Sequence, residues 1–327
     1  MHGVTRHDEF ETKFAAEPAF AVPDLVGIGP VASVRVAPVQ HLTADYYDTD
    51  DLRLIRRRIT LRRRVGGSDD GWHVKLPTGA DDRRRTELHL PITTPGLPPL
   101  RFVDLLLGQT RGRVLEHVVT VHNRRSPLHL FDRSGEPLGE LTDDRVTAER
   151  AGGTETFREI EVEVAPGVEP RVLTPVVEAL LAAGALQSDL TSKAARSMGS
   201  GALAPADVGP RPALRATSSP STRARHDLVP AVLSLQDADL LVRLDAAADT
   251  DPAITAVDAV RAALRQHRRT VGVAAAQHLL GEIEGLRLLL ADRSPEGRRD
   301  LLRAMHQGRY LTLLDELVAT ARAPGEA

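Results

Sequence analysis

The first half of the chain alternates apolar and polar residues with a period of two. From about residue 8 to residue 165, short segments of this kind are separated by clusters of turn-forming residues, such as 66–71 and Gly152-Gly153. A period of two places successive side chains on opposite faces of a strand, and turn clusters between strands are typical of hairpins. The pattern therefore predicts an antiparallel sheet built from hairpins.

Helical spacing of apolar residues follows. The segment 171–184 has apolar residues three and four positions apart, which predicts an amphipathic helix that ends near Gly184, and another helix is expected at 101–107. Residues 226–323 show helical periodicity with almost no strand pattern. The fold class expected is α+β, with the sheet first and an all-α region after it.

The length and composition predict how these parts are divided. A chain of 327 residues exceeds the size at which a single core stops growing, roughly 250–300 residues, so two domains are expected. The Gly, Ala, Pro, Ser and Arg content around 199–225 is too poor in large apolar residues to order itself. We expect a sheet domain at 1–200, a flexible linker at 201–225 and a helical domain at 226–327.

The composition also excludes some chemistry. The sequence has no cysteine, which excludes disulfides, thiolate metal sites and cysteine nucleophiles. It has neither the apolar core of a signal peptide at its start nor an uninterrupted apolar run of about 18 residues, so we expect a soluble, cytoplasmic protein. The net charge of -3 says little about partners, but arginine crowds 53–85 and carboxylates dominate 132–169.

The charged residues fall on one face of each predicted strand, including a strand expected at about 54–65. Residues of equal parity share a face. The polar faces are Glu9, Glu11 and Lys13; Arg56, Arg58, Thr60, Arg62 and Arg64; His73 and Lys75; Arg83, Arg85, Glu87 and His89; Glu140, Thr142 and Asp144; and Glu159, Glu161 and Glu163.

Two interpretations follow from these faces. An ordinary half-buried sheet would expose its charged face to water. If the sheet closes on itself, the charged faces enclose a common lumen, which must be wet and filled by a complementary ligand because dry burial costs several kcal/mol per ion. Arginine and lysine clusters suit phosphate oxygens, and carboxylate clusters suit a hard cation such as Mg²⁺ or Mn²⁺.

Several motifs resemble, in order and spacing, those of the CYTH or triphosphate tunnel metalloenzyme superfamily, over about residues 5–200. They are Glu9-Phe10-Glu11-Thr12-Lys13, Tyr46-Tyr47-Asp48-Thr49, Leu61-Arg62-Arg63-Arg64, Gly71-Trp72-His73-Val74-Lys75-Leu76-Pro77, Arg85 with Glu87, Glu159-Ile160-Glu161-Val162-Glu163, and Ser192-Lys193-Ala194-Ala195-Arg196. We interpret the Tyr46–Thr49 motif as a turn and packing motif rather than as a direct ligand contact.

The resemblance implies an eight-stranded antiparallel β tunnel with flanking helices and gives roles to its charged residues. Implied catalytic residues are Glu11, Lys13 and Glu161. Implied phosphate-binding residues are Lys13, Arg62, Arg64, Lys75, Arg85, Arg124 and Lys193. Implied metal ligands are Glu9, Glu11, Glu161 and Glu163, with Glu87, Glu140, Asp144 and Glu159 as further acidic tunnel residues.

The helical region resembles a shortened CHAD domain, a helical module associated with polyphosphate. The segment 307–317 carries that resemblance, whereas the usual histidine- and arginine-rich opening helix is missing or degraded. Two helical faces, one with Arg261, Arg265 and Arg268 and one with Arg299, Arg303 and His306, could meet polyphosphate or simply lie in water.

The function expected is metal-dependent hydrolysis of a triphosphate. The aromatic content of 3% offers no evident stacking platform for a base, which favours inorganic tripolyphosphate, hydrolysed to pyrophosphate and phosphate. The alternatives are a nucleoside or thiamine triphosphatase, an adenylate cyclase of the CYTH type, and a non-catalytic polyphosphate-binding module. Neither a membrane nor a specific nucleic acid is expected as a partner.

Overall fold

The computed structural model describes residues 3–79, 81, 83–92, 96–188, 192–245 and 248–325. The chain forms two compact units. The first contains Met1–Pro98 and Glu116–Leu203, and the second contains Pro99–Leu115 and Ala204–Ala327. The helical unit therefore takes one segment from within the sequence of the sheet unit.

The described strands form one antiparallel sheet in the first unit. They are β1 (Thr5–Ala16), β2 (Ser33–Val36), β3 (Gln40–Asp48), β4 (Thr60–Val65), β5 (Gly71–Pro77), β6 (Arg84–Leu90), β7 (Glu116–Phe131), β8 (Pro137–Arg150), β9 (Gly153–Val164) and β10 (Leu186–Gln187). Eight of these described strands run in the order β1-β6-β5-β4-β3-β7-β8-β9, and the pairing of β1 with β9 closes the ring. The expected eight-stranded antiparallel tunnel is confirmed.

The described helices are α1 (Leu100–Thr110), α2 (Thr174–Ala182), α3 (Lys193–Met198), α4 (Ser200–Leu203), α5 (Pro220–Leu244), α6 (Asp251–Gln266), α7 (Arg268–Val271), α8 (Val273–Ala291), α9 (Pro295–Met305) and α10 (Gly308–Arg322). Of these, α2 covers the outer wall of the barrel, where its Val176 and Leu180 pack in one cluster with Phe14 of β1. A second cluster joins Val119 and Val121 of β7 to Ala194 of α3.

The strand expected at 54–65 begins only at Thr60. Residues Ile55–Arg57 form a 3-10 turn, and Arg58 has a φ of 61°. The cause is the buried carboxylate of Asp48, which accepts the backbone N–H groups of Leu54 and Ile55, both at 2.9 Å. These bonds curl the chain, so the side chains of 56 and 58 do not continue the charged face of β4.

The expected linker at 201–225 differs from the structure. Val208 is fully buried in the core of the helical unit, and α5 begins at Pro220, with Ser219 Oγ accepting the N–H of Thr222 at 3.1 Å. The segment orders because it adds a few apolar side chains to a core that the other helices supply. Composition alone does not show this.

The core of the helical unit also holds a polar network. Asp239 is buried and accepts hydrogen bonds from Tyr310 Oη at 2.8 Å and Arg243 Nε at 2.9 Å. Gln109 of α1 donates to the carbonyl of Gln236 at 2.7 Å. These bonds explain how α1, distant in sequence, belongs to this unit. In the part of the chain that the structure describes, no helix has both the length and the apolar character needed to cross a bilayer.

Candidate active site in the barrel

The charged faces of the strands enclose a cavity of about 240 Å³ inside the barrel. Ten of the residues predicted to bind phosphate or metal, or to be acidic tunnel residues, line it. They are Glu9, Glu11, Lys13, Arg62, Arg64, Lys75, Glu87, Glu161, Glu163 and Lys193. Its volume exceeds the roughly 30 Å³ that one water occupies several times over, so the lumen can hold an anion together with water.

Lysines and carboxylates are tightly paired at the α3 end of the lumen. Lys193, the first residue of α3, places Nζ 2.8 Å from Glu159 Oε1, 2.8 Å from Glu161 Oε1 and 2.9 Å from Asp144 Oδ2. Lys13 Nζ lies 2.6 Å from Glu161 Oε1 and 2.9 Å from Glu11 Oε2. Burial disfavours both ammonium groups, but these carboxylates hold the pKa of each lysine above its ordinary value.

Arg125, and not Arg124, lies in the lumen. Arg124 is exposed on the outer face of β7, so its assignment to phosphate binding is corrected. Arg125 donates from Nε and Nη2 to the two oxygens of Asp144, at 2.9 and 2.7 Å, and from Nη2 to Glu161 at 2.7 Å. The alternation in the sequence does not identify the interior face of β7, because that face carries the apolar residues Val119 and Val121, which pack against α3.

Arg62 and Arg64 of β4 provide two further guanidinium groups. Arg62 Nη2 lies 3.2 Å from Glu87 Oε1, and its Nη1 lies 3.4 Å from the hydroxyl of Tyr46. Arg64 contacts the carboxylate of Asp69 on the β4–β5 loop. Burial, together with the positive charge of Arg62, lowers the pKa of Arg64 to about 9, so these cations are crowded and desolvated.

Arg85 does not line the cavity. It is 2% exposed and donates to the backbone carbonyl of Arg58, at the end of the turn that precedes β4. Burial lowers its pKa, against the attraction of Glu11 and Glu9. Its predicted role as a phosphate ligand is therefore corrected to closing this part of the barrel, because it lies outside the described cavity lining and its Nη2 donates to the backbone.

The remaining acidic residues lie behind or beside the lumen lining. Asp144 and Glu159 are fully buried beneath Lys193. Glu140 is half-buried and 3.0 Å from His129. Their contacts make Asp144 and Glu159 partners of cations rather than open ligands.

Glu9 and Glu163 differ from these acids. Burial, together with the nearby carboxylate of Glu87, raises the pKa of Glu9 to about 8, although Lys75 Nζ is only 2.6 Å away. Burial and the charge of Glu11 also raise the pKa of Glu163. Burial thus disfavours the charged form of both carboxyl groups, even with Lys75 nearby.

A divalent cation fits this part of the lumen. Among the described residues, His7, Glu9 and Glu163 can each offer one ligand atom, and these atoms lie within 4.8 Å of one another. Carboxylate oxygens suit Mg²⁺ or Mn²⁺, and a cation would compensate the two carboxylates. The predicted ligands Glu11 and Glu161 are not in this group; Glu161 is surrounded by Lys13, Lys193 and Arg125.

Sequence reasoning missed four residues at this site. Arg125 was missed because the other residues on its face of β7 are largely apolar. Ser192 comes directly before Lys193, the lysine that was predicted. Asp69 lies in a segment that the pattern predicts only as a turn. The signal for His7 was present, since it shares the parity of Glu9 and Glu11 one step before the motif.

Comparison with known proteins adds a family and several relatives. The family model of the CYTH domain matches residues 7–198. An uncharacterized protein of Mycobacterium tuberculosis, found in two strains, is 34% identical over 223 residues, which cover 63% of this chain and 43% of the relative. The chain thus spans less than half the length of these curated relatives.

The solved structures that resemble this chain are more distant. A candidate adenylate cyclase of Bacillus halodurans shares 19% identity with a TM-score of 0.42, over 58% of this chain and 97% of that one. A candidate adenylyl cyclase of Hippeastrum, described as having a dominant triphosphatase activity, shares 15% identity with a TM-score of 0.36, over 58% of this chain and 96% of that one. The matched region ends at residue 198, before the helices α5 to α10, for which the CHAD-like resemblance stays a prediction.

Proposed function

Because this chain belongs to the CYTH domain family, whose members include metal-dependent triphosphatases and adenylate cyclases, we propose that its barrel binds a triphosphate and hydrolyses it. The observation that carries the proposal is the convergence of six cationic side chains, in the described lining, on a cavity that also holds six carboxylates. The cations are Lys13, Arg62, Arg64, Lys75, Arg125 and Lys193, and the acids are Glu9, Glu11, Asp69, Glu87, Glu161 and Glu163.

The arginines supply positioning. Arg62, Arg64 and Arg125 come from two strands, β4 and β7, and present planar groups of donors to one space. Guanidinium forks bind phosphate oxygens in a fixed orientation, and phosphoryl transfer requires mainly positioning and charge stabilisation from the protein. A chain of phosphates in the lumen would exchange the carboxylate partners of these arginines for phosphate oxygens.

The lysines supply charge at the α3 end. Glu161 accepts from Lys13, Lys193 and Arg125 at 2.6 to 2.8 Å, so it fixes three cations before any ligand arrives. Burial opposes its ionisation, but these cations hold its pKa well below the ordinary value. We assign Glu161 the role of positioning these three cationic side chains, and Lys13 the role of neutralising charge on the reacting phosphate.

The carboxylates nearer His7 would hold the metal. Glu9, Glu163 and His7 are the proposed ligands of Mg²⁺ or Mn²⁺, with Glu11 as the adjacent acid. When bound, such an ion polarises phosphoryl oxygens and lowers the pKa of a coordinated water. The chain itself orients the phosphates and excludes bulk water around them.

Inorganic tripolyphosphate is the proposed substrate, with pyrophosphate and orthophosphate as products. Tyr46 is the one phenyl-type ring in the described lining, and its hydroxyl faces Arg62. The lining therefore offers donors for phosphate and little surface for stacking a base. In the helical unit, Arg261 does not support a polyphosphate site, because its guanidinium group is already paired with Asp258 at 2.7 Å and with Glu284 at 2.6 Å.

The test is orthophosphate release from tripolyphosphate, ATP and thiamine triphosphate with Mg²⁺ or Mn²⁺. We expect release from tripolyphosphate that requires the metal and is lost in Glu11→Gln, while Asp70→Asn, altered on the same barrel but outside the lining, keeps the wild-type rate. Pyrophosphate and a cyclic nucleotide from ATP would indicate a cyclase instead. Retention of polyphosphate with no hydrolysis of any substrate would contradict catalysis and favour a binding module.

A further inference from the structure

The β4–β5 loop, residues 66–70, is fixed against the end of the barrel. Gly66 has a φ of 98°, and Gly67 N–H donates to Asp70 Oδ1 at 2.9 Å. The Nε2 atoms of two histidines lie near its carbonyls: His73 is 3.0 Å from the oxygen of Asp69 and His89 is 3.2 Å from that of Asp70. A carbonyl can only accept, so each imidazole holds the loop when its Nε2 carries the proton. For His73 this competes with Glu87 Oε1, which is 3.1 Å from Nδ1.

This anchored backbone places the carboxylate of Asp69 in the lumen. Asp69 lines the cavity and contacts Arg64 Nη2, with its side chain 47% exposed and that of Arg64 11% exposed. The Nε of Arg64 is buried and has no hydrogen-bond partner among the described residues. Asp69 is therefore the counterion of an arginine that would otherwise be open to an anion.

Arg64 lies four residues along β4 from Thr60, the residue that pairs with Lys75. In the sheet register it faces Gly71, whereas Thr60, at the start of β4, faces Lys75. Four residues of strand separate Thr60 from Arg64, a distance of about 13 Å at about 3.3 Å per residue. A short anion held at Lys75, beside Thr60, thus need not reach Arg64, whereas a longer chain of phosphates can extend to it.

We propose that Asp69 is a specificity-determining residue, a carboxylate gate that a phosphate chain must displace to reach Arg64. The inference rests on the proposed function, since it assumes that the lumen takes linear phosphate anions. The negative charge of Asp69 repels each further phosphate group at this end of the lumen, so the carboxylate limits the length of the phosphate chain that binds tightly. The loop needs no new fold to do this, because its backbone is held independently of the Asp69 side chain.

The test compares Asp69→Asn with Asp70→Asn. Asparagine keeps the size of the side chain and the backbone bonds to His73 and His89 but removes the charge. Asp70 is the matched control because it lies on the same loop, carries the same charge and is absent from the described lining. Calorimetric titration with pyrophosphate, tripolyphosphate and tetrapolyphosphate, in EDTA so that nothing is hydrolysed, measures the affinity of each variant, and a thermal melt checks folding.

We expect Asp69→Asn to bind tripolyphosphate and tetrapolyphosphate about ten-fold more tightly than wild type, and pyrophosphate with less than about a three-fold change. A ten-fold change corresponds to about 1.4 kcal/mol, the low end for a charge-assisted contact, because Asp69 is partly exposed and screened. Asp70→Asn should match wild type at every length.

Each other outcome overturns the gate. Equal tightening at all lengths would show a general charge effect, and equal tightening in Asp70→Asn would show that position in the lumen is irrelevant. If wild type binds the anions and Asp69→Asn binds them equally, the gate is wrong while the proposed function stands. If neither protein binds any of the three anions in EDTA, the gate is wrong, whereas the proposed function is judged by the metal-dependent release of orthophosphate described above.

Discussion

Replacing Arg125 by glutamine gives the sharpest test of which face of β7 is functional. Arg125 and Arg124 are adjacent in sequence and identical in type, but one lies in the lumen and the other on the outer surface. The variant Arg125→Gln removes a cation from the proposed phosphate site, and Arg124→Gln removes the same charge from the opposite face. We expect only the first to lose activity.

The size of the loss follows from the contacts of Arg125. A charge-assisted hydrogen bond to a phosphate oxygen contributes about 1.5–3 kcal/mol, so kcat/KM should fall about ten- to a hundred-fold. The variant also removes three hydrogen bonds to Asp144 and Glu161. Asp144 is 0% exposed but keeps Lys193 at 2.9 Å, so we expect the loss of stability to stay below the 3–5 kcal/mol typical of a buried charge left wholly unpaired.

Kinetics and melting curves separate these two effects. The assay is orthophosphate release from tripolyphosphate at saturating metal, with a thermal melt of each variant. Arg125→Lys keeps the charge but loses the planar fork, so its activity should fall between wild type and Arg125→Gln. Equal losses in Arg124→Gln and Arg125→Gln, or a folded Arg125→Gln with wild-type kcat/KM, would refute the assignment of this face.

Three further outcomes are expected. Gly108→Ala should lower the free energy of unfolding of the helical unit by about 1–3 kcal/mol, and with it the melting temperature, because a Cβ there would overlap the buried carboxylate of Asp239. A wild-type melting temperature would contradict this packing. Asp48→Asn should cost about 1–3 kcal/mol in chemical denaturation, because its amide would turn a donor toward the N–H of Ile55, which the carboxylate accepts at 2.9 Å. Mn²⁺ should raise the melting temperature of wild type more than that of Glu9→Gln, and an equal rise in both would show that Glu9 is not a ligand.

The barrel could be predicted from the sequence because its strands repeat one simple rule. Glu9, Glu11 and Lys13 alternate with apolar residues, and Glu161 and Glu163 do the same in β9. Such alternation depends only on the strand period, so it survives without knowledge of the neighbours. The register then brings Glu11 opposite Glu163 and Lys13 opposite Glu161, which closes the ring and places these side chains together.

The alternation rule failed where the interior of the barrel is lined by apolar instead of charged side chains. Val119 and Val121 point inward because α3 fills that end with Ala194, so apolar parity there marks the inside rather than the outside. At the other end of β4 and β5, Asp69 enters the lumen from a turn, where no period applies. The prediction for Arg58 failed for a third reason. The backbone hydrogen bonds to Asp48 replace the expected strand by a turn, in which Arg58 has a left-handed conformation.

The three glutamates of β9 differ in role because they differ in their contacts with other strands. Glu159, Glu161 and Glu163 share one face of β9 and look equivalent in the sequence. In the barrel, burial opposes the ionisation of all three, yet Lys13, Lys193 and Arg125 overcome it at Glu161, whose pKa is lowered, whereas the pKa of Glu159 and of Glu163 is raised. A carboxylate that is already surrounded by cations can position them but gains little from a metal. Glu163, beside Glu9 and His7, is the acid of β9 that a divalent cation would stabilise most, so metal binding should depend on Glu163 more strongly than on Glu161.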